Sequence, residues 1–202
     1  MTQIALPLKA GTSGPERIIL GAGNSHVADA LGAPESWPFR TAILTGPSRS
    51  GKSLFGKWFA QGGKGAVLDD AQRLPEEQVF HRWNRAQESN TPLLIIGGEP
   101  PWEITLPDLK SRMGAALQLE IGSPDDAMAG ELLLSFAAER GLPLGPDAAE
   151  YLIPRSSRSY QALERLAQMI DTLSLERKTP PNRGIWRAAL EAAEGPQEPR
   201  LI

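Results

Sequence analysis

The sequence contains no cysteine and only two histidines, His26 and His81. The first absence excludes a disulfide framework and thiolate-held metals; the second leaves too few imidazoles for a histidine-rich metal centre. No apolar run approaches the roughly 18–20 residues that cross a bilayer. The N-terminus lacks the basic flank and apolar stretch of a secretory signal, so a cytoplasmic protein is expected. Positive charge is also in short supply. Residues 1–122 carry 12 Lys/Arg against 12 Asp/Glu, residues 123–202 carry 9 against 12, and the net charge is −3. Holding DNA through many phosphates needs a basic excess, so strong direct DNA binding is not expected.

What is present is an ordinary globular composition, 41% hydrophobic and 22% charged in 202 residues, enough for one large domain or a core with a satellite. MTQIALPLKAGTSG reads as a tail, an apolar hexamer followed by a flexible linker. ERIILGAGNSHVADAL reads as a short extended piece, a glycine turn, and a helix with Asn24 or Ser25 near its cap. RTAILTG, AVLDD, TPLLIIGG and ALQLEI read as four short strands. The helices expected between them are Lys52 to Gln61, PEEQVFHRWNRAQE with Val79, Phe80, Trp83 and Ala86 on one side, and LPDLKSRMGA. After Ser123 only helices are expected: SPDDAMAGELLLSFAAERGL ending at Gly141, GPDAAEYLIPRS, SYQALERLAQMIDTLSLERK and NRGIWRAALEAAE. Strands alternating with helices, then helices alone, indicate an α/β core with a helical appendage.

The chemistry-bearing motif is Gly46-Pro47-Ser48-Arg49-Ser50-Gly51-Lys52-Ser53, a full match to G-x-x-x-x-G-K-[ST]. Glycines let backbone N–H groups approach phosphate oxygens, and the following helix offers its positive end. Lys52 supplies a charge for the β and γ phosphates, and the Ser53 hydroxyl can ligate Mg²⁺. Arg49 reads as a solvent-facing charge, and Leu54 follows in the first turn of the helix. The motif sits between a buried strand and a helix, the context it needs. Asp69 and Asp70 close the next strand, where an acid can hold the Mg²⁺ of a P-loop ATPase. A parallel crossover needs about 10–12 residues. The ten-residue helix and GGKG therefore suffice to return one strand to the sheet, with no room for a further strand-and-helix unit.

ILTGPSRSGKSLF, VLDDAQRL, LPDLKSRM and SSRSYQALERL occur in the order found in the AAA+ module of DnaA-related proteins, and the opening QIALPL resembles the amino end of the Hda-like members of that family. The resemblance spans about residues 3–192. It implies a P-loop AAA+ fold with a reduced parallel sheet of four strands in the order 5-1-4-3 (family labels), followed by a helical lid. The divisions are then a clamp-binding tail and linker (1–14), the nucleotide-binding domain (15–122), the lid (123–195) and a C-terminal tail (196–202). Ile19, Gly21 and Asn24 are implied to pack around adenine, and residues 46–54 to hold the phosphates of ADP or ATP. Asp69 is implied to bind Mg²⁺ with Ser53, and Asp70 to orient water. Arg112 corresponds to the arginine that acts on a neighbour's nucleotide, Arg158 to the lid arginine that touches nucleotide in cis. Gln3, Ile4, Leu6, Pro7 and Leu8 correspond to the peptide that binds the sliding clamp of DNA polymerase III; a docked strand is the alternative reading of residues 3–8.

The implied function is a clamp-tethered regulator that stimulates ATP hydrolysis by DnaA and silences initiation, meeting DNA mainly through the clamp; a homodimer is left open. A clamp-bound adaptor with a structural nucleotide site and an independent loader-like ATPase remain as alternatives. Three departures from the family matter. The chain stops after the lid, where DnaA carries a helix-turn-helix domain, so initiator activity is not expected. The segment between phosphate loop and acidic strand is short, so the family's edge strand is expected to be absent. GGEPP offers only Glu99 where the family places a polar sensor, which implies weak self-catalysed hydrolysis.

Overall fold

The computed structural model describes residues 5–7 and 17–194, and divides into two compact units, residues 1–122 and 123–202. In the first, β1 (Ala5–Pro7) pairs antiparallel with β2 (Arg17–Ile19), placing Ala5 opposite Ile19 and Pro7 opposite Arg17. Next come α1 (Ser25–Gly32), β3 (Thr41–Thr45), α2 (Lys52–Gln61), β4 (Ala66–Leu68), α3 (Glu76–Glu88), β5 (Leu93–Ile96), α4 (Pro107–Ala115) and β6 (Leu117–Glu120). β3 to β6 form a four-stranded parallel sheet in the order β4-β5-β3-β6. Read from the other edge, this is the expected order 5-1-4-3. The short crossover through α2 sets β4 down one position away from β3, and β5 later fills the gap.

Strand position explains strand sequence. The two central strands are flanked on both sides and covered on both faces, so they read as unbroken apolar runs, AIL and LLII. The edge strands AVL and LQLE retain exposed positions. On one face Ile43, Leu68, Leu93 and Ile95 pack with Val79 and Ala86 of α3 and with Leu109 and Met113 of α4. On the other lies α2. A Cβ added to Gly56 would stand 2.7 Å from Ile96 Cδ1 and 3.2 Å from Val67 Cγ1, so the absence of a side chain lets the helix settle directly on β4 and β5. Each fully buried Leu or Ile in such a core contributes about 1.5–3 kcal/mol of hydrophobic free energy.

The loop between α1 and β3 is held by Trp37. Its ring stacks on Phe59 at 5.3 Å, and its Nε1–H donates to Ala30 O at 2.8 Å. Lys64 Nζ donates to Gly32 O at 3.2 Å at the end of α1, where carbonyls lack helical partners.

The second unit contains α5 (Asp126–Glu139), α6 (Pro146–Leu152), α7 (Tyr160–Glu176) and α8 (Arg183–Glu194). Its own core includes Leu133, Ala148, Leu163, Ile170 and Trp186. α5 stops as its sequence predicts. Gly141 takes φ +71°, its N–H donates to Ala138 O at 3.0 Å, and Leu142 N–H donates to Ala137 O at 2.9 Å. This pair of bonds closes a helix with glycine in the left-handed region.

Candidate functional site: a phosphate-binding loop at the ends of the parallel strands

The loop begins in a passage too tight for a side chain. Gly46 has φ +146°, and a Cβ there would lie 2.9 Å from Ile121 Cβ and 3.0 Å from Ile121 O. Its N–H donates to Gly98 O at 3.2 Å, linking the end of β3 to the segment after β5. Arg49 (φ 65°) and Gly51 (φ 88°) then turn the chain through left-handed backbone. For glycine this is free; for Arg49 it costs on the order of 1–3 kcal/mol, which the surrounding loop must offset. Ser50 N–H donates to Pro47 O at 3.3 Å, and Phe55 N–H to Gly51 O at 3.1 Å opens α2. No side chain caps this helix, so its first-turn N–H groups face the loop without an intrahelical partner.

Lys52 folds over the loop. Its Nζ donates to Gly46 O at 2.7 Å and to Pro47 O at 2.8 Å. Burial lowers its pKa from the ordinary 10.5, opposed by the charges of Glu99, Asp69 and Asp70. A half-buried ammonium near three carboxylates and beside an uncapped helix start can exchange its carbonyl partners for phosphate oxygens. Ser50 Oγ, in a residue only 5% exposed, has no hydrogen-bond partner. The tight glycine passage, the left-handed turns, the unpaired hydroxyl and the lysine together fit a di- or triphosphate.

Asp69 and Asp70 follow the last residue of β4 in a turn. Asp69 Oδ1 accepts from Asp70 N–H at 2.9 Å, and Asp70 has φ 50°. Asp70 also meets Arg73 at 3.8 Å, both side chains largely in solvent. Glu99 follows Gly97 and Gly98 beyond the end of β5. The charges of acidic residues at two strand ends therefore bear on Lys52. Among the described residues no group of three or more His, Asp or Glu forms a ready-made metal cluster. Ser53 and Asp69, both exposed, suit a cation that takes its remaining ligands from phosphate and water.

The segment implied to meet adenine has a different job for one of its members. Asn24 is 1% exposed. Its Oδ1 accepts from Gly21 N–H at 2.9 Å and its Nδ2 donates to Ile19 O at 2.9 Å. Both ends of the amide are therefore spent on folding the turn, and Asn24 also does not cap α1 through its side chain. Ile19 is buried and Gly21 half-buried.

The two implied arginines both have partners. Arg112, on α4, lies over Phe80 (4.4 Å from the ring centroid) and Trp83 (4.3 Å) and donates through Nη1 to Asn84 Oδ1. Arg158, in the helical unit, pairs with Asp126 through Nε–Oδ1 at 2.6 Å and Nη2–Oδ2 at 3.3 Å, with the side chains 56% and 62% exposed. Of the tail residues, Leu6 and Pro7 belong to β1; Gln3, Ile4 and Leu8 lie outside the described residues. The aromatic and amide setting of Arg112 escaped the sequence reading. Its signal was there: Phe80, Trp83 and Asn84 stand at i, i+3 and i+4 of one helix, a spacing that shares a face. A separate recess of about 840 Å³, lined by Ile43, Thr45, Trp102, Lys110, Met113 and Glu120 among others, includes none of residues 46–54.

No protein-family model matches the chain. A Haemophilus influenzae protein, described only as uncharacterized, is 29% identical over 117 residues, covering 54% of this chain and 51% of the relative, so the chain spans about half the length of that curated relative. The crystal structure of domain III of the Thermotoga maritima replication initiation protein DnaA superposes with a TM-score of 0.67 at 13% identity, covering 85% of this chain and 92% of that one. The replication initiator DnaA bound to AMPPCP and single-stranded DNA gives 0.58 at 17% identity, over 79% of this chain and 65% of that one. The FIGL-1 AAA domain in complex with ADP gives 0.59 at 13% identity, over 83% and 81%. The chain thus has a reduced P-loop AAA+ fold with a helical part, related in architecture to domain III of DnaA.

Proposed function

We propose that the protein is a DnaA-related AAA+ regulator of replication initiation that binds ADP or ATP with Mg²⁺. The observation that carries this reading is the loop around Lys52: an ammonium held by the carbonyls of residues 46 and 47, flanked by Asp69, Asp70 and Glu99, at an uncapped helix start. The likeness of the fold to DnaA domain III supports the replication context.

In this reading the backbone N–H groups of residues 48 to 53 and Lys52 grip the phosphates, and Leu54 completes the first turn behind them. Ser53 and Asp69 would hold Mg²⁺, which when bound screens phosphate charge and fixes phosphate geometry. Asp70 would orient water. Arg112 acts on the nucleotide of a partner, a DnaA-type initiator, supplying positive charge where negative charge spreads during phosphoryl transfer. Residues 3–8, Ile4 among them, tether the protein to the sliding clamp, with Gln3 at a pocket rim, Leu6 and Leu8 filling an apolar groove and Pro7 holding the peptide extended.

The test is titration calorimetry with ADP and ATP in Mg²⁺, followed by initiator ATP turnover with clamp-loaded DNA. Nucleotide binding that Lys52→Ala removes, and stimulation that Arg112→Ala removes while clamp binding persists, are the expected results. A second reading has a specific observation in its favour: Arg112 is engaged by α3 and Arg158 by Asp126, as in a clamp-bound adaptor whose arginines only brace the fold. Unchanged stimulation in Arg112→Ala would select the adaptor.

A further inference from the structure

We propose that Phe80, Trp83 and Asn84 of α3 are positioning residues for Arg112, forming a cradle that aims its guanidinium at a phosphate outside this chain. The inference rests on the reading of Arg112 as acting on a partner's nucleotide.

The argument starts from what a guanidinium offers. It is planar and always charged, with five N–H donors around its edge and two faces that stack on aromatic rings. Here Cζ of the guanidinium lies over both rings, 4.4 Å from the Phe80 centroid and 4.3 Å from that of Trp83. Asn84 Oδ1 takes one edge donor, on Nη1. The two ring contacts and the single edge bond together hold the guanidinium against α3. The remaining edge donors are left for an acceptor of matching geometry, and no carboxylate forms an ion pair with this arginine among the described residues. The contrast with Arg158 is direct: Asp126 occupies that guanidinium through two atoms and neutralises it.

The cradle also has a cost that a mere brace does not need. Trp83 Nε1 is buried without a hydrogen-bond partner, an unfavourable arrangement for an indole N–H. What the indole offers at this position is its face, which lies 4.3 Å from Arg112 Cζ. Cation–π contacts of this kind favour one placement of a long side chain before a partner arrives. An arginine ordered in advance loses less entropy when it meets the transition state.

The experiment measures stimulated initiator ATP turnover as a function of the concentration of this protein, with clamp-loaded DNA present. Asn84→Ala is the primary variant, since it removes one acceptor from a helix surface and alanine favours helix. Its maximal rate is expected to fall about tenfold while the half-maximal concentration stays within twofold. Trp83→Phe, which keeps a stacking face, is expected to fall less than Trp83→Leu. In Arg112→Ala, millimolar guanidinium is expected to restore part of the rate, and to restore none when Trp83→Leu is added. A wild-type maximal rate in Asn84→Ala, with Arg112→Ala inactive, overturns the cradle and leaves the arginine reading standing. A half-maximal concentration that rises in step with the fall in rate makes Asn84 a docking residue and also overturns it. A wild-type rate in Arg112→Ala overturns both.

Discussion

The helices of the two units begin differently. In the helical unit, Asp125 Oδ1 accepts from Met128 N–H at 2.8 Å, Ser159 Oγ from Ala162 N–H at 3.2 Å, and Asn182 Oδ1 from Gly184 and Ile185 N–H at 2.9 and 3.1 Å. Three of its four helices thus close their own N-termini. In the α/β unit none of α1 to α4 has a side-chain cap. A side-chain cap and a phosphate compete for the same N–H groups, so a helix that serves a ligand is left open. Openness alone does not make a site, since α1 and α3 are open too. α2 differs because left-handed residues stand before it and a lysine in its first turn folds back over that loop.

The largest expected effect tests whether that openness serves a ligand. Lys52→Ala should weaken ADP·Mg²⁺ binding by about 2–3 kcal/mol, on the order of 30–150-fold, as expected for loss of charge-assisted hydrogen bonds. Thermal unfolding without nucleotide should change little. Equal affinity in calorimetry would reduce the open end of α2 to a weak cap.

Glycines sharpen the contrast next. Gly46→Ala forces a Cβ against the backbone of Ile121 at a φ of +146°, and should cost about 1–3 kcal/mol by strain and overpacking. In the helical unit, a Cβ on Gly130 would meet Ala149 Cβ at an ordinary 3.7 Å. Gly130→Ala should therefore stabilise by about 0.4–1 kcal/mol, because alanine loses less backbone freedom on folding. Urea unfolding of both variants decides; a shared sign would show that the two glycines are kept for the same reason. Ser159→Ala should remove a cap and cost about 1 kcal/mol, whereas alanine at Ser53, which caps nothing in the structure, should cost less. Equal losses would erase the distinction between the two units' helix starts.

How much of this was written in the sequence depends on the range of the interaction. The phosphate loop was legible because its constraints are local: glycines where φ is positive or space is short, and lysine one residue past Gly51. The strand order was reached through the resemblance, and the short crossover was consistent with it. Three features were not legible. Asn24 reads as a ligand contact or a helix cap, yet it binds the backbone of residues 19 and 21, a choice set by the turn's own geometry. Arg112 was visible as a residue, but its cradle comes from α3, 28 residues upstream of it at Asn84. Whether the apolar hexamer would pair with anything was also open; Ala5–Pro7 lies against Arg17–Ile19, and that register depends on a partner strand that the periodicity of six residues does not identify.

The smallest expected effect concerns how α4 manages without a cap of its own. Glu76, in the first turn of α3, accepts from Thr105 N–H at 2.8 Å, Thr105 Oγ1–H at 3.0 Å and Leu106 N–H at 2.6 Å, fixing the chain just before α4. The bonds from the Thr105 and Leu106 backbone N–H groups favour the carboxylate and lower its pKa below the ordinary 4.5. A carboxyl whose pKa is depressed on folding stabilises the fold fully above its unfolded value, and that contribution disappears as pH falls through the lower folded value. Glu76→Gln, which stays neutral, should therefore lose stability relative to the native chain at neutral pH, and the gap should close in acid. The effect should be small because the group lies in solvent. Urea midpoints for the two chains at pH 7 and at successive values below 4.5 would show it; a gap that stayed constant across that range would mean Glu76 holds the start of α4 through shape alone, and charge would drop out of the account of how the α/β unit braces its open helices.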